Sequence, residues 1–152
     1  MAEEDAAALA RRVAAAMYAR DHAAQALGIV IDEVGPGAAR GAMMVRRDML
    51  NGHGTCHGGL TFTLADTVFA YACNGHNRTT VALGCDIAFV APAREGDRLV
   101  ATARRRSLQG RTGIYDVEVT DGAGRAIALF RGTSYQLQGE IVPGRDPSGD
   151  KE

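Results

Sequence analysis

The sequence has no tryptophan, and aromatic residues make up only 5% of its 152 residues. Its core must therefore be built mainly from smaller apolar side chains. No apolar run approaches the ~20 residues that a membrane span requires. The net charge is -1, which gives no indication of a broad basic surface for nucleic acid. A hydrophobic share of 46% in a chain of this length is typical of one globular domain.

Cysteine is also scarce. Cys56, Cys73 and Cys85 are odd in number and lie in apolar segments, which favours free thiols over a disulfide framework. The N-terminus is acidic where a secretory signal would be basic, so we predict a cytoplasmic protein. The spacings His53-x2-Cys56 and Cys73-x2-His76 resemble those of zinc ligands. The first pair lies in a glycine-rich loop and the second near the end of a long helix, so we predict no metal and no other cofactor.

The order of the predicted elements is typical of an α+β protein. Residues 3–20 carry an apolar residue at every fourth position, which predicts a peripheral helix. Segments 27–34 and 38–46 predict a β-hairpin, because a Gly-Pro-Gly turn separates them. The stretch from Leu60 to Cys73 is apolar on all sides, as in a buried helix. The segments that predict a following antiparallel meander are 79–90, 97–107, 112–120 and 125–137.

This order predicts one domain, residues 1–139, in which a curved sheet of five or six strands wraps around the buried helix. Residues 140–152 are polar and contain Pro and Gly, so we predict a flexible tail there. Such a sheet still leaves edges and one face of the helix open, and we therefore expect a partner subunit.

A candidate catalytic feature lies at the start of the buried helix. If the helix begins near His57, the first N–H groups, on Gly58, Gly59 and Leu60, have no partner within it. They carry the positive end of the helix dipole, and glycine lets a ligand approach closely. These donors, with the amide of Asn51, could stabilise a negative oxygen in a reaction intermediate.

Asp66 is the only acidic residue in the predicted buried helix. A carboxylate among apolar side chains is costly, and burial raises its pKa and strengthens it as a base. It could activate water or attack a carbonyl directly. Structural alternatives stay open. Asp66 could be satisfied by a nearby backbone group or by a salt bridge in a dimer, Asn51 could be a turn residue, His57 could have a purely structural role at the helix start, and the glycines could simply allow a tight turn.

Asp66 follows Gly58 by eight residues, or about 12 Å along a helix. A base must lie within about 3 Å of its target or one water away, so one helix cannot easily bring both groups to one carbonyl. Two antiparallel helices across a two-fold axis would bring Gly58 of one subunit to Asp66 of the other. A thioester suits these groups, because a thiolate with an acid pKa near ~8.5 can leave without a strong acid.

Two motifs resemble a known family. Residues 51–59 read Asn-Gly-His-Gly-Thr-Cys-His-Gly-Gly, and Leu64-Ala65-Asp66-Thr67 follows. The combination is similar to the hot-dog-fold acyl-CoA thioesterase superfamily, most closely to the phenylacetic-acid-degradation thioesterases (PaaI type). The resemblance extends from about Leu27 to Gly139, including Phe130-Arg131-Gly132-Thr133 and the stretch from Val90 to Asp97.

The resemblance implies hydrolysis of phenylacetyl-CoA or ring-hydroxylated phenylacetyl-CoA by a homotetramer built from two dimers. It implies that Gly58 and Asn51 hold the thioester oxygen, and that Asp66 of the facing subunit is nucleophile or general base. Thr67 would position water or substrate, and His57 is a further catalytic candidate. In similar enzymes the CoA portion lies along the segments that correspond here to the 91–96 loop and the 109–112 turn. The substrate-binding candidates are Gly59, Gly84, Arg94, Gly110, Arg111 and Thr112.

One position departs from the family pattern. Some relatives carry a hydroxyl residue on the strand after the helix that orients water, whereas Gly84 in the corresponding stretch has no side chain. Two other functions stay open. One is a non-catalytic acyl-CoA-binding regulator, although no DNA-binding module is attached. The other is a hot-dog hydratase or dehydratase, which would pair His57 with Asp66 across a dimer.

Overall fold

Six strands and three α-helices make up residues 2–144, the part of the chain that this computed structural model describes. We number the helices α1–α3 and the strands β1–β6 in chain order. The helices are α1 (Ala2–Tyr18), α2 (His22–Ala26) and α3 (Gly58–Asn74), with a 3-10 helix at Arg47–Met49, and the strands are β1 (Val30–Gly35), β2 (Ala38–Met44), β3 (Thr80–Phe89), β4 (Arg98–Gln109), β5 (Thr112–Thr120) and β6 (Ala126–Gln136).

All six strands form one antiparallel sheet in the order β1-β2-β4-β5-β6-β3. The long helix α3 contacts every one of them. The predicted α+β architecture, one sheet wrapped around a buried helix with a further helix at the N-terminus, is therefore confirmed. No described helix is long and apolar enough to cross a membrane.

The prediction of a four-stranded meander is wrong for β3. Only β4, β5 and β6 follow one another as neighbours, while β3 pairs with β6 at the edge of the sheet. The stretch between Phe89 and Arg98 is too long for a tight hairpin. It carries the chain away from β3, so that β4 pairs with β2 instead.

Helix α3 packs close to the sheet because small residues face it. A Cβ atom on Gly132 of β6 would lie 2.7 Å from the ring of Phe69, a distance that side chains do not tolerate. Phe69 therefore fills the space above Gly132, and it also packs against Tyr115 with ring centroids 5.5 Å apart. The buried residues of α3 are Thr61, Leu64, Ala65, Val68, Phe69, Tyr71, Ala72, Cys73 and Asn74.

One side of α3 is not covered by the sheet. Next to it lies β3, whose outer edge has no partner strand within the described chain. This edge strand exposes large apolar side chains: Leu83 is 63% exposed, Phe89 56% and Val81 41%. Exposed apolar edges of this length are normally paired or covered. The partly exposed residues on this side, which we call the open strip of α3, are Gly59, Phe62, Thr63, Asp66, Thr67 and Ala70.

Two short elements were not predicted, because local capping interactions stabilise them and their sequences show no periodic pattern of apolar residues. Helix α2 begins where the side chain of Asp21 accepts a hydrogen bond from the N–H of Ala24, at 3.2 Å. The 3-10 helix Arg47–Met49 leads into the loop before α3.

The first residues of the predicted tail lie against the domain. The amide of Asn77 accepts hydrogen bonds from the N–H groups of Ile141 and Val142, at 3.1 and 2.9 Å. The guanidinium of Arg12 donates to the carbonyl of Pro143 at 3.0 Å. The rest of the predicted tail, residues 145–152, lies outside the described residues, and the domain boundary at residue 139 stays a prediction.

Candidate active site

Hydrogen bonds at the start of α3 leave the N–H of Gly58 without a partner among the described residues. His57 is the N-cap, and its Nδ1 accepts a hydrogen bond from the N–H of Gly59 at 3.2 Å. The carbonyl of His57 accepts from the N–H of Leu60 at 2.9 Å. The expectation of free N–H groups on Gly59 and Leu60 is therefore wrong. Among the described residues, the N–H of Gly58 is the one of the three without a partner, which leaves it available to a ligand.

The cap also fixes how His57 can act. Because Nδ1 accepts a hydrogen bond, it carries no proton in this arrangement. The hydrogen bond holds the imidazole ring against the start of α3. His57 is exposed, so its side chain caps the helix and does not pack in the core.

A cavity of about 370 Å³ lies at the start of α3, and Gly58 is one of its lining residues. Gly58, Asn51 and Thr61 form one side, and the end of β3 with the stretch after it forms the other. A Cβ atom on Gly58 would lie 3.0 Å from the Phe89 ring, so Phe89 stands directly beside the helix start. Phe89 was not among the predicted site residues. The alternation of β3 could have placed it on the face towards the helix, but the edge position of β3 was not foreseen.

Asn51 organises the loop before α3. Its Oδ1 accepts hydrogen bonds from the N–H groups of His53 and Thr55, at 2.9 and 3.2 Å. Its Nδ2 donates to Oγ1 of Thr55 at 3.1 Å. One hydrogen of the Asn51 amide is therefore not used within the loop. Both Asn51 and Gly58 line the same cavity.

Asp66 lies half-buried on the open strip of α3, and burial raises the pKa of its carboxyl above the ordinary value. No cationic side chain among the described residues forms an ion pair with it. The thiol of Cys85 on β3 lies within reach of it, with Sγ 4.0 Å from Oδ1. A carboxylate without a cation, raised in pKa and open on one side, suits a base or nucleophile.

Thr67 uses its hydroxyl within the helix. Oγ1 donates to the carbonyl of Thr63 at 2.6 Å. Its proton is therefore occupied, and Oγ1 can contact a ligand only as an acceptor.

Within one protomer the two halves of the candidate site do not meet. Asp66 is not part of the cavity that Asn51 and Gly58 line. The eight residues of helix between Gly58 and Asp66 correspond to about 12 Å of axial rise.

The predicted CoA residues also lie apart. Arg94 lies close to the start of α3. The residue before it, Ala93, accepts a hydrogen bond of 2.8 Å through its carbonyl from the N–H of Cys56. Arg111 lies in the tight turn between β4 and β5, where Gly110 has a φ of 60°. That turn is at the other end of β4, about 36–40 Å along the strand. Thr112, which opens β5, lies there as well.

A metal site is not formed by the described residues. They contain no group of three or more His, Cys, Asp or Glu side chains placed to hold an ion. Cys56, Cys73 and Cys85 are all free thiols.

Comparison with known proteins decides the family. The family model of the Thioesterase superfamily matches residues 53–128. Acyl-coenzyme A thioesterase PaaI of Escherichia coli K12 is 48% identical over 127 residues, which cover 84% of this chain and 91% of that protein. The chain belongs to the thioesterase superfamily. It is an acyl-CoA thioesterase, a thioester hydrolase, as the motifs predicted.

The solved structures agree on the fold of this thioesterase. The structure of the E. coli PaaI protein from the phenylacetic acid degradation operon superposes with a TM-score of 0.87 at 46% identity, covering 88% of this chain and 97% of that one. Acyl-coenzyme A thioesterase 13 of Homo sapiens is 33% identical over 130 residues, 82% of this chain and 92% of that protein. The predicted hot-dog fold is thus confirmed.

Proposed function

We propose that this thioesterase hydrolyses phenylacetyl-CoA or its ring-hydroxylated forms to the free acid and CoA. The observation that carries the proposal is the half-buried Asp66 on the open strip of α3, beside an apolar edge strand. The E. coli relative from the phenylacetic acid degradation operon supports the substrate class. So does Phe62, one helical turn before Asp66, which meets Phe130 edge-on with ring centroids 5.4 Å apart and offers an aromatic wall.

The active site is completed by a second copy of the chain. Two β3 edges pair antiparallel across a two-fold axis, which extends the sheet and covers the exposed Leu83 and Val81. The two α3 helices then run antiparallel along their open strips. Each dimer has two sites, in which Gly58 and Asn51 of one subunit face Asp66 of the other. Two such dimers form a tetramer. The free thiols fit the reducing cytoplasm where we place the protein.

The chemistry follows from these groups. The N–H of Gly58 and the free amide hydrogen of Asn51 bind the thioester oxygen and stabilise the negative charge that develops on it. Asp66 either removes a proton from the attacking water or attacks the carbonyl carbon itself. When the carbonyl re-forms, the C–S bond breaks and CoA leaves as the thiolate. On the base route, the proton that Asp66 took from water passes to the thiolate. On the covalent route, a water molecule then hydrolyses the anhydride between Asp66 and the acyl group, which frees the acid. Thr67, through Oγ1, accepts a hydrogen bond from the water or the substrate. His57 holds the helix start in place.

The CoA portion is held by two subunits. Arg94 lies at the end of the sheet where α3 begins, and Arg111 lies at the opposite end, so antiparallel pairing brings Arg94 of one subunit towards Arg111 of the other. Neither guanidinium is in an ion pair within the described chain, so both are available to phosphate. The backbone contacts to the substrate that we propose come from Gly84, Gly110 and Thr112, whereas the N–H of Gly59 stays bound to Nδ1 of His57.

A thiol-release assay with a panel of acyl-CoA esters tests the substrate class. We expect phenylacetyl-CoA and hydroxyphenylacetyl-CoA to give a kcat/KM about fivefold above straight-chain esters of similar size, because an aromatic contact is worth about 1 kcal/mol. Higher values for straight-chain esters would remove the aryl assignment. Binding of every ester without thiol release would favour the regulator, and hydration of an enoyl-CoA without thiol release would favour the hydratase.

A further inference from the structure

Among the described residues, the side chain that reaches Asp66 as a hydrogen-bond donor is the thiol of Cys85. Sγ of Cys85 lies 4.0 Å from Oδ1 of Asp66, within reach of a weak S–H donor. No Lys, Arg or His side chain among those that the structure describes lies within ion-pair distance of this carboxylate. The thiol is therefore the group that can fix the orientation of the carboxylate from outside its own helix.

The register of the sheet explains why Cys85 reaches the helix. Cys85 lies opposite Gly132, and Ile87 lies opposite the buried Phe130, so these residues of β3 share the face towards α3. The irregularity between Ala82 and Gly84 shifts the alternation, and Gly84 faces away from the helix. The side chain that β3 presents to Asp66 is thus Cys85, whereas the family pattern had drawn attention to Gly84.

The protonation state of the thiol suits a donor. Burial and the nearby Asp66 raise the pKa of Cys85 above its ordinary value, so the S–H form persists at neutral pH. The other titratable side chain coupled to Asp66 is Cys73 on α3 itself, and burial raises its pKa to about 12. Both thiols near the carboxylate are therefore neutral at pH 7.

We propose that Cys85 is a positioning residue for Asp66. Its S–H donates to Oδ1 and holds the carboxylate in one rotamer, which leaves Oδ2 to face the reacting carbonyl or water. This inference rests on the proposed role of Asp66. Cys85 thus places on the strand after the helix a polar side chain that contacts Asp66, which Gly84 cannot do.

Two substitutions separate positioning from simple packing. Cys85→Ala keeps a small apolar side chain and removes the donor, whereas Cys85→Ser keeps a donor and is the poorer apolar substitute. We expect the Ala variant to lose about tenfold in kcat with KM changed less than twofold, since hydrogen bonds to charged groups are worth about that much. The Ser variant should recover most of this loss. Ala88→Ser, on the other face of β3, is the matched control and should keep the wild-type kcat.

The pH profile gives a second readout. Loss of a donor to the carboxylate disfavours its charged form, so the acidic limb of kcat/KM should move to higher pH in Cys85→Ala and return in Cys85→Ser. An Ala variant that equals or exceeds the Ser variant in kcat, with an unmoved acidic limb, would overturn the inference. Asp66→Asn is measured alongside: if it retains wild-type turnover, the proposed function fails first, whereas an inactive Asn variant beside a fully active Ala variant rejects only the role of Cys85.

Discussion

Replacing Asp66 with Asn should lower kcat by about three orders of magnitude while the protein stays folded. The amide has the size and shape of the carboxyl but cannot accept a proton or form an acyl anhydride, and general base catalysis alone contributes about 10²–10⁴ in rate. KM should change little, because the lost interaction acts in the transition state. Steady-state kinetics on phenylacetyl-CoA provide the measurement. Asp86→Asn, one position beyond Cys85 and on the outer face of β3, is the control and should keep kcat within about twofold.

The stability of the Asn variant has a predicted sign. Burial raises the folded-state pKa of Asp66 above its unfolded value, so the group favours folding at pH below the unfolded pKa. That contribution is lost as pH rises through the folded pKa, where the charged, desolvated carboxylate opposes folding. At pH 7 the Asn variant should therefore unfold at the same or a higher temperature than the wild type. Turnover near the wild-type value in this variant would exclude Asp66 from the chemistry.

The second large effect is expected from Gly58→Val, which should lower kcat/KM by about 10²–10³, the usual loss when one oxyanion donor is removed. A Cβ atom added at this position would lie 3.0 Å from Cζ of Phe89 and 3.2 Å from its Cε1. The valine methyl groups would occupy the space in front of the free N–H. Either Phe89 moves into the cavity and fills the space for the thioester, or the helix start shifts and the N–H of Gly58 loses its alignment with the thioester oxygen.

Gly122→Val is the matched control for the cost of placing valine at a glycine. A Cβ atom on Gly122, in the turn between β5 and β6, meets nothing within 4 Å, so this variant should keep its activity. Thermal unfolding of both variants separates loss of alignment from loss of fold. If Gly58→Val hydrolyses phenylacetyl-CoA as well as Gly122→Val does, the N–H of Gly58 is not the oxyanion donor.

The sequence predicts the long elements well because their apolar patterns are strong. The helix Gly58–Asn74 has apolar residues on all its sides and Asp66 as its only acid, and its beginning next to His57 follows from the glycine pair. Strand β5 shows an uninterrupted alternation and was predicted at its observed bounds, Thr112–Thr120. Elements whose stability comes from local periodicity are visible before any tertiary contact is known.

The order of strands was not predictable in the same way. The local sequence pattern of β3 does not indicate that this strand pairs with β6 at the edge of the sheet. Pairing with β4, the strand that follows it in the chain, is equally compatible with that pattern. The observed arrangement depends on the long connection after Phe89 and on long-range pairing, such as Cys85 opposite Gly132. The same holds for the site. Asp66 and Gly58 stand out from composition and spacing, whereas Cys85 and Phe89 become relevant only when β3 is placed beside α3.

At the start of α3 the sequence predicts too many free N–H donors. Three free N–H groups follow from the general geometry of a helix start, yet the Nδ1 of His57 binds the N–H of Gly59, and its carbonyl binds that of Leu60. Side-chain rotamers decide which donors remain, and a sequence does not give them. The structure reduces a set of three donors to the N–H of Gly58.

Mixing two inactive variants tests the shared active site most directly. Asp66→Asn and Gly58→Val chains are co-expressed in equal amounts, and thiol release from phenylacetyl-CoA is measured on the purified mixture. If each site takes Gly58 from one subunit and Asp66 from the other, random pairing leaves both residues intact in about a quarter of all sites. The mixture should then reach about a quarter of wild-type kcat. A mixture no more active than the two variants measured separately would show that both residues act from one chain, and the proposed dimeric site would be wrong.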